Sequence, residues 1–376
     1  MGYSSPLGAP GPGPALQRGR PIRVMVVDDS LIVRAAFSRL VDQEADLELA
    51  AAVSTAEDAL TLLASERVDV ILLDLEMPGM GGLGALPQMI ERAREAKIMV
   101  VSSLTADGAE HTVEALALGA AHTLQKPASG GFDRDYKDKL LAKIRALGRR
   151  PLRRAVAVDG AVATPSLRSP SRERARIVAI GASTGGIHSI GQLFGALPMG
   201  LGIPILITQH LPVSFIPAFA QQLRELTGRE TFAAADGMAL LPDGILIAPG
   251  DAHLTVVRKP SGAVVRLDRR PAPSGCMPSV DPMFASLAEA YGAAALGVVL
   301  TGMGRDGTIG AEEIAAAGGT ILVQNEATSA VWGMPGSVAR AGFASAILHP
   351  LDIAGRIASA AGRLDQLIQD VLAYSR

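Results

Sequence analysis

The stretch Ile177–Gly186, with the sequence IVAIGASTGG, decides the fold of the second half of this 376-residue chain. It opens on four apolar residues, as expected of a parallel strand that is buried on both faces. The glycines that follow allow a sharp turn into a helix. Ile205–His210 and Gly297–Gly307 repeat this pattern of an apolar run followed by polar or glycine-rich residues. Because ligands bind beyond the carboxyl ends of the strands in open α/β sheets, the three stretches predict one shared site.

Each stretch carries one member of a nucleophile, base and acid set. Ser183 follows the first strand, His210 ends the second stretch and Asp306 lies in the third. A histidine can take the proton of a serine hydroxyl, and a carboxylate can hold the imidazole in the required tautomer. We therefore predict that Ser183 is the nucleophile, His210 the general base and Asp306 the orienting group. The backbone amide of Met303 is the predicted donor to a developing oxyanion.

Other interpretations of these stretches remain open. Gly181–Gly186 could be a phosphate-binding loop of a nucleotide-binding domain, although no Gly-Lys-Ser/Thr follows it. His253 is a rival base, but it lies in a hairpin-like segment rather than after an apolar strand. Asp281 is a competing carboxylate, but the dipeptide Asp281-Pro282 is more typical of the start of a helix.

The composition limits the class of protein. A net charge of −2 and 3% aromatic residues argue against a nucleic-acid-binding protein, including a DNA-binding transcription factor. With Cys276 as the one cysteine, no intramolecular disulfide can form, which suits a reducing compartment. No apolar run is long enough to span a bilayer, and residues 1–20 have no apolar core of a signal peptide. We expect a cytoplasmic protein that does not insert into membranes.

The pattern along the chain predicts two domains. Residues 1–20 are an expected disordered leader, and residues 21–147 alternate strand and helix patterns five times. Residues 148–175 are an arginine- and proline-rich linker, which we expect to be solvated and flexible. The alternative is that its charge docks it on an acidic partner or on the first domain. A second α/β alternation covers 176–372, so the predicted fold is two doubly wound parallel-sheet domains, the second Rossmann-like.

The first domain has its own polar cluster. Asp28 and Asp29 follow the first predicted strand, Asp74 ends the third and Lys126 follows the fifth. Carboxylates this close repel one another unless a cation lies between them, and oxygen ligands suit Mg²⁺. A bound Mg²⁺ would let one carboxylate accept a phosphoryl group, with Lys126 pairing with the product. Aspartates also cap helices, but a lysine on a separate strand favours the site. We expect the peptide bond between Lys126 and Pro127 to be cis.

This domain resembles the response-regulator receiver family. Four motifs carry the resemblance: Val26–Ser30, Leu73–Met80, Ser102–Thr105 and Gln125–Pro127. The resemblance implies that a histidine kinase phosphorylates Asp74. It also implies that Mg²⁺ is bound by Asp74, by the two aspartates after the first strand and by the backbone carbonyl of Glu76. Lys126 and the hydroxyl of Ser102, or of its neighbour Ser103, would sense the phosphoryl group.

The second domain resembles the chemotaxis protein-glutamate methylesterases. The matching motifs are Gly181–Gly186, Gln209-His210, Val280–Ser286, Thr301–Gly307, Ala317–Gly319, Gln324–Ala327 and Gly333–Pro335. The resemblance gives Ser183, His210 and Asp306 the same catalytic roles as the residues themselves suggest. It adds Thr184 to Met303 in the oxyanion site, and it requires no cofactor for the ester chemistry.

Together the two resemblances imply a phosphorylation-activated hydrolase. Its substrates would be glutamate γ-methyl esters on the cytoplasmic domains of chemoreceptors, which release methanol, and receptor glutamines, which release ammonia. The unphosphorylated receiver would cover the crevice, and phosphorylation of Asp74 would loosen that contact. We expect a monomer whose partners are the receptors and a histidine kinase. A rival function is a non-enzymatic adaptor or phosphate sink, which would not need Ser183 or His210.

Overall fold

The computed structural model describes residues 20–102, 105–126, 132–148, 165–260 and 262–362. The predicted leader before residue 20, Ser103, Pro127 with its expected cis bond, and the predicted end of the second domain after residue 362 lie outside these ranges. In the N-terminal domain, the elements in chain order are β1 (Ile22–Val27), α1 (Leu31–Asp42), β2 (Leu47–Val53), α2 (Ala56–Leu62), β3 (Val70–Asp74), α3 (Gly81–Arg92), β4 (Lys97–Ser102), α4 (Ala106–Leu118), β5 (His122–Gln125) and α5 (Arg134–Gly148).

Within the described residues, the five strands of this domain form one parallel sheet in the order β2-β1-β3-β4-β5. The winding reverses after β2, which makes β1 and β3 neighbours, with Val27 paired to Leu73. Asp28 and Asp74 therefore lie side by side at the carboxyl edge of the sheet, where such folds bind ligands. The predicted doubly wound fold is confirmed for this domain.

Side chains at the helix starts explain where several helices begin. Ser30 and Thr55 each accept a hydrogen bond from the backbone N–H three residues later, at the starts of α1 and α2. The second helix ends at Leu62, and the chain continues there in tighter turns. Among the described helices, none has both the length and the apolar character needed to cross a bilayer.

The C-terminal domain contains a larger sheet and a hairpin. Its elements are β6 (Ile177–Ala182), α6 (Gly186–Ala196), β7 (Ile205–Gln209), α7 (Ile216–Thr227), β8 (Thr231–Ala233), β9 (Ile245–Ile247), β10 (His253–Lys259), β11 (Gly262–Asp268), α8 (Val280–Tyr291), β12 (Ala295–Val299), α9 (Thr308–Ala316), β13 (Thr320–Gln324), α10 (Met334–Arg340), β14 (Ala346–Leu348) and α11 (Pro350–Ala360).

The order of the strands places β6 at the centre of this sheet. Among the described residues the order is β14-β13-β12-β6-β7-β9-β8, and each pair is parallel. Gly181 on β6 pairs with Val299 of β12 on one side and with Thr208 of β7 on the other. The carboxyl ends of the three strands that precede Ser183, His210 and the loop after β12 are therefore adjacent. The antiparallel pair β10–β11 lies outside the sheet and contacts α8.

The last part of the linker is attached to the C-terminal domain. The N–H of Arg168 donates to the carbonyl of Ala344, and the N–H of Ala175 donates to that of Ala360. Between them, the N–H of Ser171 donates to Thr320 Oγ1 at 2.9 Å. Residues 165–175 are therefore not the free tether that their composition predicts, because their backbone groups bond to the edge of a folded domain.

Candidate active site

Ser183, His210 and Asp306 come together at one edge of the larger sheet. Ser183 directly follows β6, His210 directly follows β7, and Asp306 lies in the loop after β12. Gly185 turns the chain into α6 with a φ of 76°, a left-handed conformation that favours glycine. A Cβ at this position would lie 2.5 Å from the Cβ of Ala330, so the close approach also requires glycine.

His210 and Asp306 form a hydrogen-bonded pair. Nε2 of His210 donates to Oδ2 of Asp306 at 2.8 Å, and the carboxylate is buried. Burial alone would lower the pKa of His210, but hydrogen bonds with Asp306 and Cys276 outweigh it and raise the pKa to about 9. Burial alone would raise the pKa of Asp306, but hydrogen bonds from His210, Ser279 and Val280 lower it. The pair is therefore an imidazolium beside a carboxylate at neutral pH.

Ser183 is held through its backbone. Its N–H donates to the carbonyl of Thr301 at 3.0 Å, and its own carbonyl accepts from Nε2 of Gln209 at 2.9 Å. Across the ranges that the structure describes, Ser183 Oγ makes no hydrogen bond to His210. Because Nε2 of His210 donates to Asp306, the proton of the serine hydroxyl would have to go to Nδ1 of the same ring.

Two backbone amides beside Ser183 are free to bind an oxyanion. The N–H groups of Thr184 and Met303 donate no hydrogen bond to any other described residue. A Cβ on Gly302 would lie 2.8 Å from the Cβ of Ser183, so the backbone that leads into Met303 passes directly beside the serine. Preorganised amides in this position can stabilise the charge of a tetrahedral intermediate.

The rival base and the rival carboxylate make other contacts. His253 is buried, Nδ1 of its ring accepts from the N–H of Ser279 at 2.8 Å, and Nε2 donates to the carbonyl of Arg270 at 2.8 Å. Both ring nitrogens are occupied, so His253 has none left to act as a base. Asp281 accepts from the N–H of Gly310 and lies in the first turn of α8, as its sequence predicted. Burial raises the pKa of Asp281 to about 6.

Cys276 belongs to this site, although no motif of the sequence predicts it there. Its sulfur, a ring nitrogen of His210 and a carboxylate oxygen of Asp306 lie within 4.8 Å of one another. The one available signal was its position shortly before the Val280–Ser286 motif, because α8 in that motif contacts β6. No spacing rule connects a cysteine there with a histidine after β7.

The N-terminal domain carries a second polar cluster at its carboxyl edge. Carboxylate oxygens of Asp28, Asp29 and Asp74 lie within 4.8 Å of one another. Nζ of Lys126 donates to Asp74 Oδ2 at 2.6 Å and lies 3.6 Å from Asp28 Oδ2. Burial raises the pKa of Asp28 and of Asp74 despite this lysine. Asp28 Oδ2 and Ser102 Oγ are buried with no hydrogen-bond partner among the described residues. Carboxylates with an unsatisfied oxygen fit a hard divalent cation such as Mg²⁺.

The two domains touch beside Ser183. The N–H of Gly185 donates to the carbonyl oxygen of Ala121 at 2.6 Å. Nδ1 of His188 on α6 lies 2.8 Å from the carbonyl oxygen of Ala117 on α4. One buried apolar cluster includes residues of both domains. The segment between α4 and β5 therefore covers the turn that follows Ser183.

His122, the first residue of β5, also lies near the crevice. Its pKa is lowered well below 6.5 by burial first, and then by the positive charges of Lys143 and His210. Nζ of Lys143 contacts Nε2 of His122, and burial lowers the pKa of Lys143 to about 8. His122 of the N-terminal domain is thus close enough to His210 of the second domain for the charge of that imidazole to lower its pKa.

Comparison with known families gives two matches along the chain. The family described as CheB methylesterase matches residues 178–357. The family described as response regulator receiver domain matches residues 24–131. The two matches fall on the two sheets and include both polar clusters.

Two relatives are similar to this chain along most of its length. A protein-glutamate methylesterase/protein-glutamine glutaminase 1 of Paramagnetospirillum magneticum is 40% identical over 370 residues, which cover 91% of this chain and 97% of that protein. A protein-glutamate methylesterase/protein-glutamine glutaminase 2 of Caulobacter vibrioides is 43% identical over 341 residues, 89% of this chain and 97% of that protein. The crystal structure of the Thermotoga maritima CheB methylesterase catalytic domain has a TM-score of 0.48 and 34% identity, covering 49% of this chain and 98% of that one.

Proposed function

This chain belongs to the CheB methylesterase family of chemotaxis response regulators, and we propose that it is a serine hydrolase of chemoreceptors. Its substrates are glutamate γ-methyl esters, which it converts to glutamate and methanol, and glutamines, which it deamidates. The observation that carries this proposal is the His210–Asp306 pair beside Ser183, at the ends of three adjacent strands. The names of its relatives supply the substrate class.

The reaction proceeds through an acyl-enzyme. Ser183 Oγ attacks the ester carbonyl carbon while Nδ1 of neutral His210 takes the hydroxyl proton. The bond to the methoxy oxygen then breaks, His210 returns the proton to that oxygen, and methanol leaves. Water attacks the acyl-enzyme with His210 again as the base, which releases the glutamate side chain and restores Ser183. An amide substrate follows the same steps and releases ammonia.

The backbone around Ser183 stabilises the tetrahedral intermediates. The free amides of Thr184 and Met303 point to an oxyanion site, since neither donates to another described residue. Asp306 binds Nε2 of His210, which fixes the tautomer of the ring and leaves Nδ1 as the nitrogen that can accept the serine proton. No cofactor is needed for these steps, because the charge that develops is balanced by the amides and by the imidazolium.

The receiver domain takes a phosphoryl group on Asp74 from a histidine kinase. A Mg²⁺ ion would be held by Asp28, Asp29, Asp74 and the backbone carbonyl of Glu76, and when bound it neutralises the charge of the incoming phosphoryl group. The unsatisfied carboxylate oxygen of Asp28 supports this ligand set.

Two further residues respond to the phosphoryl group. Lys126 already contacts Asp74 and can transfer its hydrogen bond to a phosphoryl oxygen. Ser102 Oγ is buried with no partner in the described ranges, so it can donate to a second phosphoryl oxygen. These contacts draw the ends of β4 and β5 toward Asp74.

The short strand β5 couples this event to the crevice. Lys126 follows its carboxyl end, and Ala121, whose carbonyl binds the N–H of Gly185, precedes its start. A shift of β5 toward Asp74 weakens the Ala121–Gly185 hydrogen bond and uncovers the turn after Ser183. A change of a few kcal/mol between the covered and uncovered states is enough to shift their populations.

The esterase proposal is tested by methanol release from membranes that carry methylated chemoreceptors. We expect Ser183→Ala to lower the rate by roughly a thousandfold or more, because it removes the nucleophile. Ser169→Ala is the matched control, since this serine is exposed and lies in the segment before β6. Wild-type rates in Ser183→Ala would contradict Ser183 as the nucleophile, whereas no methanol release by the wild-type protein would favour a non-enzymatic adaptor.

A further inference from the structure

A second, buried histidine contacts the segment that binds Asp306. His253 is 1% exposed and begins β10. Nδ1 of its ring accepts the N–H of Ser279 at 2.8 Å, and its Nε2 donates to the carbonyl of Arg270 at 2.8 Å. These contacts require the neutral tautomer with its proton on Nε2. The ring therefore fixes the backbone of Ser279 relative to the β10–β11 hairpin.

Ser279 in turn binds Asp306, the acid of the proposed catalytic triad. It is fully buried, and its Oγ lies 2.6 Å from Oδ1 of Asp306. A carboxylate can only accept, so the single hydroxyl proton of Ser279 points to Asp306. Ser274 Oγ donates to the hydroxyl oxygen of Ser279 at 3.1 Å, so the proton of Ser279 does not point to Ser274.

Val280, the residue after Ser279, binds the second carboxylate oxygen of Asp306. The N–H of Val280 donates to Oδ2 of Asp306 at 2.8 Å, while Ser279 holds Oδ1. Consecutive residues thus bind both carboxylate oxygens, and together with the N–H of Gly307, which donates to Oδ1 at 3.0 Å, they set the plane of the carboxylate. Oδ2 is the oxygen that accepts from His210, so this plane decides where the imidazole lies.

We infer that Ser279 and His253 are positioning residues of the proposed esterase. Ser279 aligns the carboxylate of Asp306 with His210, and His253 keeps Ser279 in place through its backbone N–H. This inference rests on the proposed function, because it concerns the efficiency of the same three catalytic residues. It assigns His253 a role through Ser279 and Asp306 rather than as a base.

A purely structural role for Ser279 makes a different prediction. Ser279 is also the N-cap of α8, where it accepts from the N–H of Asp281 at 3.3 Å. Loss of a cap lowers stability and leaves the chemistry of the folded fraction unchanged. A positioning role lowers kcat of the folded protein and leaves KM for the receptor unchanged, and a residue that keeps the hydroxyl restores that kcat.

The test compares Ser279→Ala with Ser279→Thr in the full-length protein, with methanol release from methylated receptor membranes as the assay. We expect Ser279→Ala to lower kcat roughly tenfold or more at unchanged KM, because a buried charged hydrogen bond is lost. Ser279→Thr keeps the hydroxyl and should retain a large part of kcat. Thermal unfolding of each variant shows how much of its decrease in kcat reflects a smaller fraction of folded protein.

A second pair tests His253. An Asn in its place keeps an acceptor near Nδ1 for the N–H of Ser279, whereas a Leu of similar size has none. We expect His253→Leu to lower kcat as Ser279→Ala does, and His253→Asn to lower it less. Equal kcat in Ser279→Ala and the wild type, or equal losses in Ser279→Ala and Ser279→Thr, would overturn the inference.

An active-site probe separates this inference from the proposed substrate. A fluorophosphonate forms an oxygen–phosphorus bond with Ser183 and releases fluoride, while the serine proton goes to the base. Its reaction rate therefore reports the alignment of His210 and Asp306 without any receptor. A slower rate in Ser279→Ala, restored in Ser279→Thr, supports the inference even if wild-type protein releases no methanol. The same rate in all variants overturns it, whatever the substrate.

Discussion

The backbone N–H of Gly185 donates a 2.6 Å hydrogen bond to the carbonyl oxygen of Ala121, and this bond joins the receiver to the turn after Ser183. It uses an amide that lies two residues from the proposed nucleophile. The contact with Ala121 therefore places receiver backbone where a receptor helix would have to approach. In the proposed mechanism, inhibition in the resting protein and its release by phosphorylation act on this same contact.

A substitution that separates the domains should raise the basal activity. Ala117 on α4 is half-buried, and its carbonyl contacts His188 of the other domain. We expect Ala117→Arg to increase methanol release without a phosphodonor by roughly threefold to tenfold, because an arginine does not fit in this contact and the covered state loses population. Glu114→Arg, on the exposed surface of the same helix, is the control and should leave the basal rate unchanged. A basal rate in Ala117→Arg equal to that of the wild type would argue against occlusion.

The activity of the unphosphorylated protein should rise with pH. Hydrogen bonds with Asp306 and Cys276 outweigh burial and raise the pKa of His210 to about 9, so the base is mostly protonated at neutral pH. We expect kcat/KM for methanol release, measured from about pH 6 to about pH 10, to increase with a midpoint near 9 as the proton leaves. A midpoint below the ordinary histidine value of 6.5 would contradict this assignment.

The same shift predicts how stability depends on pH. The pKa of His210 is higher in the folded protein than in the unfolded chain, so its contribution to the free energy of unfolding is complete below about 6.5 and is lost as pH rises through about 9. The difference in unfolding free energy between wild type and His210→Gln should shrink over this interval. A difference that grows with pH would mean that His210 is buried in its neutral form.

Modification of Cys276 should inactivate the enzyme. The thiol is partly exposed and lies beside His210, so an adduct there fills the crevice. We expect N-ethylmaleimide to abolish methanol release in proportion to the single adduct seen by intact mass. Cys276→Ser is the control, and its activity should be the same before and after treatment because the chain has no other cysteine. Full activity in a fully alkylated wild-type sample would place Cys276 away from the crevice.

A side chain at Gly302 should disturb the oxyanion site. A Cβ there would lie 2.3 Å from Sδ of Met334 and 2.8 Å from the Cβ of Ser183, so the loop that carries Met303 must move. We expect Gly302→Ala to lower kcat roughly a hundredfold, as misplacement by about 1 Å can do. The control is Gly191→Ala in α6, where a Cβ meets nothing within 4 Å. That variant should be active and slightly more stable, by about 0.5–1 kcal/mol. Unchanged kcat in Gly302→Ala would show that the loop adapts.

The sequence predicts the fold and the principal residues of both sites because their signals are local. Asp28, Asp74, Ser183 and His210 each follow or end an apolar strand, and parallel strands bring such positions to one edge. The helix start at Asp281 is equally local, since Asp-Pro sets the first turn of α8. These features depend on a few neighbouring residues and on the general geometry of α/β sheets.

Contacts between distant segments could not be predicted in this way. The contact of Cys276 with His210 and the hydrogen bond from Ser279 to Asp306 depend on the path of the chain between the hairpin and α8. The attachment of residues 165–175 to the second domain depends on backbone groups, which composition does not reveal. The sequence places His253 second to His210 because it lies in a hairpin-like segment, but only its two hydrogen bonds show that neither ring nitrogen is available to act as a base.

The central claim is that the receiver controls the chemistry at Ser183, and one measurement tests it most directly. Methanol release from methylated receptor membranes is followed for the full-length protein with and without a small-molecule phosphodonor and Mg²⁺, alongside Asp74→Asn and Ser183→Ala. We predict that the phosphodonor raises the wild-type rate, that Asp74→Asn keeps its basal rate under both conditions, and that Ser183→Ala releases no methanol. A wild-type rate that does not change while Asp74 becomes phosphorylated would contradict the account.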